Sequence, residues 1–173
     1  MEFDPTTLPP NGMYKLLISS VVPRPIAWVS SVDAAGVRNL APFSYFMAIT
    51  DDPPTIAFSS SFRGAGTDGK KDTLRNVEAT REFVVNVVDD ALAARMNLTS
   101  GEYPPEVDEF ELAGLAVAPA ARMQPPRVAE APIAMECRLD MHRLRPVGRL
   151  AGNLYTHVHD NFEMKRPNAN YRG

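Results

Sequence analysis

Sixteen prolines punctuate this 173-residue chain, and they fall between the apolar runs rather than inside them. Proline locks φ and has no amide proton for a ladder or a helix, so this spacing cuts the chain into short strands joined by rigid turns. A helix is expected over 11–18 with Asn11 as its N-cap, and strands over 25–32 and 37–41 joined by a hairpin turn at 33–36. Further strands are expected over 43–49, 55–60, 82–88, 132–139 and 154–158, with helices over 72–80 and 90–98 and an acidic, proline-rich loop over 103–126. Each parallel strand pair needs a crossover of about a dozen or more residues, and only one is visible. The expected fold is mainly β: one domain over 1–173, built as an antiparallel barrel of Greek-key type with short helical insertions.

The totals narrow the function. The formal net charge is −3. A nucleic-acid binder needs a basic face to displace counterions, and so does a protein held by anionic lipid, so neither nucleic acid nor membrane is expected as a partner. Cys137 is the only cysteine. That excludes an intrachain disulfide and a thiolate metal cluster, and fits a reducing compartment such as the cytoplasm. The first residues place acids and prolines where a secretory signal needs a basic region and an apolar run. No apolar stretch approaches the roughly 20 residues of a membrane span. The sequon Asn97-Leu98-Thr99 is read as a chance match, because nothing else points to secretion.

One motif invites a wrong turn. Gly64-Ala65-Gly66-Thr67-Asp68-Gly69 matches the glycine fingerprint of dinucleotide-binding loops, with Asp89 lying 20 residues beyond Gly69. In that motif the first glycine turns directly off the strand and the third packs inside the helix. Here Ser61-Phe62-Arg63 intervenes, and Gly69 is followed by the polar run Lys70-Lys71-Asp72. The Rossmann reading is set aside on these grounds. A phosphate loop of the GxxxxGK[ST] type fails at Lys71, where a hydroxyl is needed to hold magnesium. The local chemistry still suits a phosphate. Ser59, Ser60 and Ser61 offer hydroxyls, Arg63 a planar fork of donors, and Lys70 and Lys71 charge. Amides at the start of the following helix would favour an anion. A solvated surface loop accounts for the same residues equally well.

A longer pattern is more specific. Arg24-Pro25-Ile26-Ala27-Trp28-Val29-Ser30-Ser31, then Gly36 and Asn39-Leu40-Ala41-Pro42-Phe43-Ser44-Tyr45-Phe46, resembles the flavin-reductase-like FMN-binding split-barrel family. The resemblance continues through Lys71-Asp72-Thr73, Phe83-Val84-Val85-Asn86, Asp108-Glu109-Phe110, Gly114-Leu115 and the run from Pro132 to Leu139. It implies an FMN-binding split β-barrel that forms a homodimer with noncovalent FMN near the subunit interface. Carried over by position, Trp28, Val29, Ser30, Asn39, Ala41, Ser44 and Tyr45 would line the ring and ribityl chain, and Ser59, Ser60, Arg63, Lys71 and Thr73 would face the phosphate. Asp72 would cap its helix or pair with a base. Tyr155 would approach the flavin. The residues themselves leave Trp28 open to being a plain core aromatic, and Asn39 and Ser44 to being local backbone caps.

The pattern breaks after Leu139. Members of the family usually carry another long strand before a segment resembling residues 144–150, whereas here Asp140-Met141-His142 joins the two directly. A barrel held by backbone pairing cannot lose a strand without exposing two edges, so a segment is expected to be missing between Asp140 and Met141. His157 and His159 would share one face of a strand, but no third ligand is evident, and no metal site is expected. The implied function is an FMN-binding oxidoreductase that reduces flavin with NADH or NADPH. The alternative is a flavoredoxin-like carrier that exchanges electrons with a redox partner protein. No carboxylate or histidine is assigned a catalytic role, because the flavin supplies the redox chemistry.

Overall fold

The computed structural model describes residues 7–9, 11–60 and 69–140, and residues 155–160 as backbone. In chain order the elements are α1 (Gly12–Ser20), β1 (Ala27–Val32), β2 (Arg38–Phe43), β3 (Phe46–Asp51), β4 (Pro54–Ser59), α2 (Asp72–Thr80), β5 (Glu82–Asn86), α3 (Ala93–Leu98), α4 (Glu109–Leu112), β6 (Val117–Ala118), β7 (Arg127–Val128), β8 (Ala134–Asp140) and β9 (Tyr155–Asp160). Seven strands form one sheet in the order β2-β1-β5-β8-β9-β4-β3, and every ladder in it is antiparallel. The mainly β expectation holds, and no parallel βαβ unit of the Rossmann kind occurs among the described strands.

The β1–β2 turn shows why this sequence makes hairpins. Asp33 Oδ1 accepts from the amides of Ala35 and Val37 at 2.8 Å each, and Gly36 sits at φ 87, a conformation that side-chain-bearing residues rarely adopt. The β3–β4 hairpin carries an irregularity between Ala48 and Thr50, which breaks the flatness of the edge strand β3.

The sheet is rolled. Among the described residues no ladder joins its two edges, β2 and β3, so the ring of hydrogen bonds is open. Side chains bridge it instead: Phe43 at the end of β2 lies 5.0 Å from Phe58 of β4, and Phe58 lies 5.4 Å from Phe83 of β5 (ring centroids). Strand alternation explains the interior. Ala27 and Val29, Phe83 and Val85, and Met135, Cys137 and Leu139 occupy every second position and share one core with Phe43, Phe58 and Val77.

The opposite face of β1 is buried too. Trp28 and Leu40 enter a second core with Leu92, Phe110, Ala113, Leu115 and Val128. The expected loop over 103–126 is mostly irregular, as read, but it holds two short elements that were not expected. Asp108 accepts from the Phe110 amide at 2.9 Å and starts α4, and β6 pairs with β7 in a two-stranded ribbon. The proline content hid a segment whose apolar residues have a sheet face to cover. Fully burying Phe83 and Phe110 contributes about 1.5–3 kcal/mol each. Polar clips hold the cover down. Asn86 Oδ1 accepts from the Val128 amide at 2.9 Å, Ser30 Oγ donates to Pro126 O at 2.5 Å, and Glu136 accepts from the amides of Ala121 and Arg122 at 2.7 and 2.8 Å.

Candidate functional site

The end of β2, the end of β4 and the start of α2 converge on one aromatic ring. Lys71 Nζ lies 5.3 Å from the centroid of Phe43, whose other neighbour is Phe58. Ser59 and Ser60 follow Phe58 directly, and the Ser59 amide donates to Tyr45 O at 2.9 Å. The expected residues Ser44, Tyr45, Ser59, Ser60, Lys71 and Thr73 therefore gather in one region although nearly 30 residues separate the outermost of them. In the ladder register Tyr155 stands opposite Ser59, which brings the backbone of β9 to the same place. Arg63 and the side chain of Tyr155 lie outside the described residues, as do the glycines Gly64 and Gly66 and the junction between Asp140 and Met141.

Two features of this region would suit a polar guest. Ser60 is 4% exposed and its Oγ has no hydrogen-bond partner among the described residues. A buried hydroxyl left unpaired costs about 1–3 kcal/mol, so an occupant that accepts its proton would relieve a standing penalty. The second feature is α2, a nine-residue helix whose N-cap, Lys71, makes no side-chain capping bond. Its first-turn amides point out of the helix, where an anion is favoured. Asp72 does not compete for that role: its carboxylate pairs with Arg75 within the helix, as expected for a residue that should avoid a phosphate. Lys70, two residues before α2, reaches Glu78 of that helix with its Nζ at 2.6 Å.

The phenol of Tyr45 adds a donor at the rim. Burial raises its pKa above the ordinary 10.0, the nearby Tyr14 adds to the rise, and the Arg24 guanidinium opposes it. Tyr45 is therefore a neutral O–H donor at physiological pH. Arg24 caps α1 by donating to the carbonyls of Ile18 and Val21 at 2.5 and 2.7 Å, and its buried Nε has no partner among the described residues. Sequence reading passed over Arg24 as a site residue, since its tie to Tyr45 exists only in three dimensions.

The remaining expected residues lie on β1 and β2. Trp28 and Ser30 are fully buried on the second-core face; Trp28 Nε1 donates to Thr99 Oγ1 at 2.9 Å. Val29 points into the first core and Ala41 packs against it. β1 is flanked by β2 and β5, so its backbone groups from Trp28 to Ser30 lie within two ladders and leave no open edge toward a ring. Asn39 is 7% exposed, and its amide is held by Glu109 on one side and Thr73 on the other. Glu109 itself was not singled out in the sequence as a site residue; it lies in a segment expected to be an acidic loop, and only the fold turns it inward.

A sequence pattern for the flavin reductase like domain matches residues 18–155, most of the chain. The protein belongs to the flavin reductase like family. This flavin reductase like domain is 37% identical to nitrilotriacetate monooxygenase component B from Bacillus cereus, with a TM-score of 0.81 over 92% of this chain and 78% of that one. It is 30% identical to the 2-nitrobenzoate 2-nitroreductase of Pseudomonas fluorescens, with a TM-score of 0.76 over 96% and 77% of the two chains. A protein of Aquifex aeolicus is 36% identical over 197 aligned positions that cover 95% of this chain and all of that relative. That span exceeds the 173 residues here, so the Aquifex protein carries residues with no counterpart in this chain. The domain is a member of a flavin-binding oxidoreductase family. Among its described residues no helix is long and apolar enough to cross a membrane, and no cluster of His, Cys, Asp and Glu could hold a metal ion.

Proposed function

We propose that this chain binds FMN noncovalently and uses NADH or NADPH to reduce flavin. The observation that carries the reading is the buried hydroxyl of Ser60, without a hydrogen-bond partner among the described residues and next to Ser59, whose amide donates to Tyr45 O, in a member of a flavin reductase family. Ser59, Ser60, Lys71, the Thr73 amide and Arg63 would hold the phosphate. Ala41, Ser44, Tyr45 and Tyr155 would border the ribityl chain and ring. Trp28, Val29, Ser30 and Asn39 would stiffen the wall behind them. A preformed wall of this kind lowers the ordering cost of binding.

The chemistry that FMN would supply here is acceptance of a hydride from the nicotinamide and onward transfer of electrons. This chain's residues bind and orient it, and the two cores keep water from the wall; no side chain is assigned a proton transfer. A second copy of the chain would complete the site. The exposed strand β3, with Met47 and Ile49 at 57% and 43% exposure, offers an apolar edge for it. The single cysteine fits a reducing compartment, the cytoplasm.

The test is the absorption spectrum of the purified protein, followed by heat release of the bound group and anaerobic mixing with NADH or NADPH. Oxidised-flavin bands, release of FMN rather than FAD, and saturable bleaching by a nicotinamide are expected. A colourless protein that stays colourless in excess FMN would overturn the reading. Bleaching only by a reduced protein donor would replace the reductase with an electron carrier.

A further inference from the structure

We propose that Glu109 positions the phosphate end of the candidate flavin site, acting through Asn39 on Thr73. The inference rests on the FMN reading above and adds a residue that does not itself touch the flavin.

The geometry is a buried relay. Both Glu109 oxygens accept from Asn39 Nδ2 at 3.1 Å, and Oε2 also accepts from the Leu40 amide at 2.9 Å. A carboxylate can only accept, so it forces the NH2 end of the Asn39 amide toward itself. The amide oxygen must then face the other way, where it accepts from Thr73 Oγ1 at 2.9 Å. Ser31 Oγ lies 3.5 Å from the same oxygen and accepts from Asn76 Nδ2 at 3.2 Å. Glu109, Asn39, Thr73, Ser31 and Asn76 are all less than 9% exposed. The chain of contacts runs from α4 through the edge strand β2 into the first turn of α2.

A buried ionisable acid is an expensive way to hold two elements together. Well-packed apolar residues of similar volume usually serve as well or better. Burial accordingly raises the Glu109 carboxyl pKa, against the bonds from Leu40 and Asn39 that lower it. What an apolar contact cannot do is dictate the direction of the Asn39 amide, and with it the rotamer of Thr73. Thr73 sits one residue past the first residue of α2, the end that faces the candidate phosphate position. Its hydroxyl is turned inward to Asn39, which fixes the helix start and leaves the outward amides to an anion.

The test exchanges the two groups. Glu109→Gln sets an NH2 group against the donors that the carboxylate accepted. Asn39→Asp sets two carboxylates against each other. Together they restore the pattern in reverse. The side-chain amide now at position 109 donates to the carboxylate now at position 39, and its oxygen accepts from the Leu40 amide. That carboxylate accepts in turn from Thr73. FMN affinity is read by quenching of flavin fluorescence, and the melting temperature of the flavin-free protein is read separately. Each single variant is expected to raise the Kd for FMN at least about tenfold, and the double variant to return it to within about threefold of wild type. A relay that serves only the fold would lower the melting temperature and leave the Kd of the folded protein unchanged.

A variant that does not fold leaves a second readout in the wild-type chain. The Asn39 side-chain amide resonances are expected to shift on FMN addition with the same midpoint as the fluorescence. Single variants that bind FMN like wild type, a double variant no better than the worse single, or Asn39 resonances that ignore FMN would each overturn the relay alone. Absence of FMN binding by the wild-type chain would overturn the flavin reading and the relay together.

Discussion

Replacing Ser60 with alanine should move stability and affinity in opposite directions. Its hydroxyl is 4% exposed and unpaired among the described residues, so the flavin-free fold carries the desolvation of a polar group with no bond in return. Deleting it removes one oxygen and leaves the methyl-sized stem, which creates little cavity. Of the roughly 1–3 kcal/mol assigned to such an orphan, about 1–2 kcal/mol should return as stability. In a chain of this length each kcal/mol shifts the melting temperature by about 2–4 °C, so Ser60→Ala should melt roughly 2–8 °C higher without flavin. Binding should suffer, because a hydrogen bond to a charged acceptor contributes about 1.5–3 kcal/mol. The expected loss in FMN affinity is roughly 10- to 100-fold. Differential scanning fluorimetry of flavin-free protein and a fluorescence titration with FMN measure the two arms. A lower melting temperature would show that the hydroxyl has a partner in the fold. Unchanged FMN affinity would show that the hydroxyl does not meet the cofactor. Either result refutes the reasoning.

Asn86 is fully buried and donates to Trp28 O at 3.0 Å while accepting from the Val128 amide at 2.9 Å. Asn86→Ala leaves a buried backbone amide unpaired and opens a small cavity, so urea unfolding should show a loss of roughly 2–4 kcal/mol; a loss under about 1 kcal/mol would show that residues 119–128 are not clipped through it. Glu109 carries a signed pH effect. Its folded pKa is raised by burial from 4.5, so its contribution to stability is fully present below 4.5 and is lost as pH rises through the folded value. Glu109→Gln lacks this dependence, and its stability relative to wild type should improve as pH rises above 4.5, whatever its absolute offset. A flat difference across that window, from urea unfolding at several pH values, would contradict the sign.

Much of the scaffold was readable in the chain. Proline placement, β-branched runs and the Asp33-to-Gly36 turn were enough to place the β1–β2 hairpin, and the 72–80 helix was read to the residue. Those signals are local: φ restriction, side-chain period and turn chemistry act over a few residues. In and just after the loop-like segment 103–126 only the short elements were missed, because a four-residue helix and two-residue strands have no periodicity to show. They exist because Phe110, Leu115 and Val128 find Trp28 and Leu40 across the sheet.

The candidate site divides along the same line. Residue types suited to a phosphate were visible around 59–73, and the resemblance through Trp28, Asn39 and Ser44 placed them in a flavin context. Whether those side chains face a ligand or one another depends on contacts between residues far apart in sequence. Asn39 is the clearest instance. Its identity is written in the chain, but the direction of its amide is set by Glu109, 70 residues away. Ser60 is the converse: the sequence offers its hydroxyl to a phosphate, but only burial in the rolled sheet makes leaving that hydroxyl unpaired costly. Sequence determines which bonds a residue can make; tertiary burial, by withdrawing the solvent that would satisfy any of them, decides which ones it must make.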